Sequence, residues 1–222
     1  MELKKYSLGE EIANSCIHGT GFAFGIVALT LLVTLASLFG DVWRIVSFSI
    51  YGASLILLYL FSTLYHTLQH EKTKKVFRIL DHCAIFLLIA GTYTPFTLVS
   101  IRHSGGIAFC ALIWSFAVLG IILTSFFIGK FKKLELSVYL IMGWLAVFVL
   151  GPLIDSLPTA GIVLIFVGGL AYSLGTFFYV SKKVPYNHAI WHVFVLSGSV
   201  CHFVCIFLYV LPMNSTEITL SY

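Results

Sequence analysis

His188 and His192 stand four residues apart in the segment Pro185-Tyr186-Asn187-His188-Ala189-Ile190-Trp191-His192. On a helix, that spacing puts both imidazoles on one face about one turn apart. The apolar run from Val193 to Leu211 follows directly, so the pair opens a segment long enough to cross a bilayer. Imidazole is costly in hydrocarbon, and intramembrane histidines face the bundle interior, where they need a partner. His66 ends a second apolar run in Ser62-Thr63-Leu64-Tyr65-His66, with Ser62 one turn before it on the same face. Asp81 sits in the first turns of a third. Three histidines, a carboxylate and a water make a common zinc site with three protein ligands and one open position. Zinc lowers the pKa of a bound water to about 7, which makes a nucleophile available at neutral pH. Asp81 is placed to hold that water or to act as its base, and Ser62 to donate a hydrogen bond to it or to an oxyanion. The plainer role for each is a hydrogen-bonded packing residue.

The elements that must position these groups follow from composition. Of 222 residues, 59% are hydrophobic and only 10% charged, too little polarity to cover a soluble domain of this size. Seven apolar runs occupy about 15–39, 45–66, 79–101, 105–128, 136–153, 157–180 and 188–211. Each reaches the roughly 17 to 25 residues of a spanning helix. The first is too long for a signal-peptide core, lacks a clear small-residue cleavage site and precedes six more. The expected fold is an all-α integral membrane protein, one seven-transmembrane helix bundle, multi-pass in the cell membrane. No nucleic-acid partner is expected.

Basic residues set the expected orientation. Lys4, Lys5, Lys72, Lys74, Lys75, Arg78, Lys130, Lys132, Lys133, Lys182 and Lys183 fall on one side. Only Arg44 and Arg102 fall on the other, with Asp41, Asp155 and Glu217. The N-terminus is therefore expected in the cytoplasm and the C-terminus outside. Gly151-Pro152 and Leu157-Pro158 are expected to bracket a short outer turn, and Gly21-x-x-x-Gly25 to let two helices approach closely. The five cysteines lie in apolar runs without a CxxC pair and read as buried small hydrophobes. Asn214-Ser215-Thr216 matches a glycosylation sequon, a short pattern that arises often by chance.

On this topology the ends of the first, second, third and seventh helices converge at one depth on the cytoplasmic side. They bring Glu11, Asn14, His18, Ser62, His66, Asp81, His188 and His192 together. Glu11 also suits the helix dipole, and Asn14 a helix cap. His70 is expected in solvent, and His82 points about 100° away from Asp81 on the helix. His202 lies ten residues beyond His192, some ~15 Å along the axis, too far to share a metal.

In order along the chain, these residues resemble the hemolysin III family, the bacterial branch of the progestin and adipoQ receptors that includes the adiponectin receptors. Glu10-Glu11-Ile12-Ala13-Asn14-Ser15-Cys16-Ile17-His18-Gly19 is similar to the family's first motif, except that Ile17 stands where Ser or Thr is usual. Ser62 to His66 with Asp81 is similar to the second, and His188 to Phe203 to the third. The resemblance implies an intramembrane zinc on His66, His188 and His192, with Asp81 reaching the metal through water. It also implies kinship with the alkaline ceramidases, zinc-dependent lipid amidases.

The leading expectation is a zinc-dependent hydrolase of a lipid amide or ester, its substrate entering sideways from the membrane. The alternative is a non-enzymatic receptor or sensor of membrane state, with a structural zinc stapling the helices. A pore-forming cytolysin ranks last, because the chain has neither amphipathic strands nor a secretion signal.

Overall fold

The computed structural model describes residues 6–181 and 183–212, and of Lys132 the backbone alone. Lys4, Lys5, Lys182 and Glu217, which enter the charge comparison, lie outside the described residues, as does the Asn214-Ser215-Thr216 sequon. Among the described residues seven helices are long and apolar enough to cross a membrane. They are α1 (Leu8–Phe39), α2 (Val42–Thr67), α3 (Glu71–Ser100), α4 (Arg102–Phe127), α5 (Lys133–Ser156), α6 (Thr159–Val180) and α7 (Asn187–Val210). The protein is a multi-pass membrane protein.

Two helices begin well before their apolar runs. Ser7 caps α1 in a reciprocal capping box with Glu10, which fixes the start at Leu8 and puts Asn14 inside the helix, so Asn14 is not the cap. The α3 helix starts at Glu71 behind the exposed His70, whose ring caps it through Thr73.

The buried face of α1 reads Glu11, Asn14, His18, Gly21, Gly25, Ala28, Leu32 and Ala36. These steps of three and four residues make a seam with the period of a packed helix pair. The seam is polar at its N-terminal end, small in the middle and aliphatic beyond. A Cβ at Gly25 would stand 3.3 Å from the Ile56 backbone nitrogen, so the glycine permits the close approach of α2. The α1–α2–α7 interior is then filled by Leu32, Phe48, Tyr51, Leu55, Tyr59 and Ile206. Cys83, Cys110 and Cys205 are buried as expected, whereas Cys16 is exposed on the outer face of α1.

The α5 helix is interrupted. Residues Leu145–Val149 form a 3₁₀ turn, and the helix resumes at Leu150–Ser156. Gly151 and Pro152 therefore lie in the first turn after the break, and the residues beyond them, expected as the outer turn, stay helical to Ser156, so the chain turns only at Leu157 and Pro158. Proline is tolerated there because the first turn after a break has no intrahelical acceptor for its missing N–H. The Tyr93 hydroxyl stabilises the break. It lies 2.9 Å and 2.8 Å from the Met142 and Gly143 carbonyl oxygens and accepts the Ala146 N–H at 2.8 Å. Freed backbone groups at membrane depth need such partners.

At the opposite end of the bundle from the histidines, Arg44 clamps the end of α7. Its Nε donates to the carbonyls of Val210 and Leu211, both at 3.1 Å, and Nη2 to Pro212 at 3.1 Å. Nη1 pairs with Asp41, the cap of α2. Burial alone would raise the Asp41 carboxyl. Hydrogen bonds from the Arg44 backbone and guanidinium and the Trp43 N–H outweigh it and hold the group below the usual carboxylate range. An Arg44→Ala variant is expected to lose about 1 to 3 kcal/mol, the cost of leaving the buried Val210 carbonyl unpaired. Thermal unfolding in detergent reads this as a lowered midpoint, and an unchanged midpoint would show the clamp to be dispensable.

Candidate metal centre

Four helix ends converge at the N-terminal end of the bundle. The α7 helix is anchored there by Asn187, whose side-chain amide donates to the Phe178 and Ser181 carbonyls at 2.9 and 2.7 Å. This ties the start of α7 to the end of α6 and aims His188 and His192 at α2. One ring nitrogen each from His66, His188 and His192 lie within 4.8 Å of one another, and all three residues are buried. Among the described residues no other His, Cys, Asp or Glu joins a group this tight. Asp81 is buried beside the cluster but outside that set.

Hydrogen bonding selects the tautomer of His66. Its Nδ1 lies 2.6 Å from Glu11 Oε2, and a carboxylate only accepts, so Nδ1 carries the proton. The Asn14 side-chain amide is 3.3 Å from the same nitrogen. Nε2 is therefore a bare acceptor, and it is fully buried without a partner among the described groups. Neither nitrogen of His192 closes a hydrogen bond either, although the Asn14 backbone comes near the ring. Buried acceptors without partners are costly, and lone pairs converging from two helices are what a zinc ion requires. The residues fit the metal.

The surrounding groups divide clearly. Glu11 reaches Lys74 with its other oxygen at 2.6 Å, so one carboxylate joins α1, α2 and α3. A carboxylate behind a ligating imidazole orients the ring and raises its basicity. Ser62 is fully buried, and its hydroxyl lies on the Asp81 side without closing a hydrogen bond of ordinary geometry. His18 stacks on His192 with ring centroids 3.6 Å apart, and neither of its nitrogens has a partner among the described groups. His82 turns away to Glu135 on α5 at 3.0 Å, and His202 bonds to the Ile165 carbonyl.

Two contributors escaped sequence reasoning. Lys74 looked like a loop charge but is buried against Glu11. Tyr6 covers the centre from outside, its ring 4.9 Å from that of His188 and 5.6 Å from that of His66. Burial pushes its phenol well above the usual range. A signal for Lys74 existed, since a basic residue seven before Asp81 falls on the same helix face, two turns away. Tyr6 precedes every periodic pattern and had none.

A cavity of about 170 Å³ opens beside the cluster. Asp81 and His18 form its polar end, and apolar side chains of α3, α5, α6 and α7 form most of the remaining wall.

The haemolysin-III related family model matches residues 6–203. The Hemolysin-3 homolog of Bacillus subtilis (strain 168) is 48% identical over 204 residues, covering 92% of this chain and 96% of that protein. Hemolysin-3 of Bacillus cereus is 48% identical over 206 residues, 93% of this chain and 94% of that one. The human monocyte to macrophage differentiation factor is 31% identical over 208 residues, 90% and 84% of the two chains.

Proposed function

The chain belongs to the haemolysin-III related family, and we propose that it binds zinc through His66, His188 and His192 and hydrolyses an amide or ester of a membrane lipid. The observation that carries this reading is the set of three buried ring nitrogens within 4.8 Å, with no fourth protein ligand as close among the described residues. Three protein ligands are the mark of an open, catalytic site, four of a closed one. The apolar cavity leading away from Asp81 supports a substrate with a hydrocarbon chain.

Zinc bound there would supply Lewis acidity, acidifying water and polarising a carbonyl. The chain's own residues do the rest. Asp81 accepts the proton of the attacking water and returns it to the leaving nitrogen or oxygen. Ser62, its hydroxyl uncommitted, donates to the oxygen on which negative charge develops. Glu11 holds His66 in the tautomer that presents Nε2. The cavity keeps bulk water from the scissile group and fixes the chain beside it.

A second reading rests on His18. A fourth buried imidazole, with both nitrogens unpartnered among the described groups, stacks on His192 outside the set of three; turned toward that set, it would complete a closed site and make the protein a sensor. The Asp81→Asn variant separates the two. For a hydrolase, zinc content stays at the wild-type level while release of fatty acid from ceramide and related lipids falls about 100-fold or more. Zinc retained with no hydrolysis by the wild type on any lipid amide or ester favours the sensor.

A further inference from the structure

The cavity that begins at Asp81 and His18 continues past Tyr172 and His202 toward Ile101 and Leu153. The hydroxyls on its wall are committed. Thr92, Thr97, Ser173 and Thr176 donate to carbonyls of their own helices, and Tyr139 donates to Glu135. Tyr93 is taken up by the α5 break, and Tyr172 shares Ser199 with Tyr59.

His202 differs. Its residue is 9% exposed, and its Nε2 lies 3.2 Å from the Ile165 carbonyl. A carbonyl only accepts, so Nε2 carries the ring proton, and Nδ1 of the neutral ring is left an acceptor with no hydrogen. That atom is fully buried and has no partner among the described groups. Gly168 allows the ring to seat against α6, since a Cβ there would come within 2.6 Å of Nε2.

We propose that His202 is a second polar subsite of this cavity and that it recognises a hydroxyl carried on the ligand's hydrocarbon chain. His192 and His202 share one helix ten residues apart, which puts the hydroxyl about 15 Å from the group held at the histidine cluster. An alkyl chain leaves Nδ1 unsatisfied, whereas a hydroxyl donates to it. The inference rests on the reading of the cavity as a lipid site and narrows that class to chain-hydroxylated lipids.

Trp144 and Trp191 line the cavity, so their fluorescence reports occupancy. The full chain in detergent is titrated with dodecanoate and with ω-hydroxydodecanoate, whose hydroxyl ends a chain of matching length, both with zinc and after chelation. The hydroxy acid is expected to bind about fivefold more tightly, the worth of one net hydrogen bond. The preference disappears in His202→Phe and survives in His202→Asn, whose amide oxygen stands near the position of Nδ1. If His202→Phe does not fold, Gly168→Ala, which crowds the ring, must reduce the preference. Equal affinities in the wild type, or an undiminished preference in His202→Phe, overturn the proposal. A preference that holds in protein unable to bind zinc sustains the subsite while sinking the zinc hydrolase. Binding of neither acid in either metal state sinks the lipid reading together with the subsite.

Discussion

A His192→Ala variant purified in detergent is expected to lose its zinc, from about one ion per chain in the wild type to close to none. Mass-spectrometric metal analysis reads the change directly. The effect is large because His192 supplies one of the three nitrogens that cluster among the described residues, and a stable zinc site takes at least three protein ligands. His66→Ala and His188→Ala should behave alike. The informative control is His202→Ala, on the same helix as His192 but ten residues further along, where the ring bonds to Ile165 and lies outside the three-nitrogen set. It should keep its zinc. Equal loss in all these variants would mean that they disturb α7 rather than a metal site, and the ligand assignment would fall.

The second large effect is expected at Glu11. Glu11→Gln keeps the size of the side chain but replaces a carboxylate facing both His66 Nδ1 and Lys74 Nζ, each at 2.6 Å. Loss of such a partner typically lowers metal affinity 10- to 100-fold, so about that fall is expected in a competition titration with a chelator. Glu11→Ala should add a stability defect of about 3 to 5 kcal/mol, because it leaves the Lys74 ammonium buried without its counter-charge. If Lys74→Met in the Glu11→Ala background recovers stability but not zinc affinity, the two roles of the carboxylate are separated. Unchanged zinc affinity in Glu11→Gln would reduce Glu11 to a strut between helices.

The bundle and the histidine triad were legible in the sequence for a simple reason. In a membrane every buried polar group stands out against the apolar run that carries it, and His66, His188 and His192 each lie at the end of one. Depth along each helix was enough to bring them together. Glu11 was harder to read, because the helix dipole already accounts for an acidic residue in a first turn. Its real partners, His66 and Lys74, lie on other helices, 55 and 63 residues away in the chain. His18 was legible as polar and inward but not as stacked on His192, which depends on the rotation of α1 against α7. The start of α1 could have been read from Ser7-x-x-Glu10. It was missed because the apolar run marks the bilayer and not the whole helix. The break in α5 had a local signal in Pro152, which disfavours continuous helix through the turn before it, but the tyrosine on α3 that stabilises the break had none.

The Arg44 clamp has a consequence for the birth of the protein. Arg44 lies in the second helix, but the carbonyls that receive its Nε and Nη2 belong to residues 166 to 168 positions later. A ribosome adding 5 to 20 residues per second needs roughly ten to thirty seconds to make that stretch. For that interval the guanidinium lacks these acceptors and has Asp41, three residues before it, as the neighbour to hold it at the membrane edge. The bundle is thus locked last at the end away from the histidines, by a bond between an early helix and the closing residues of the last.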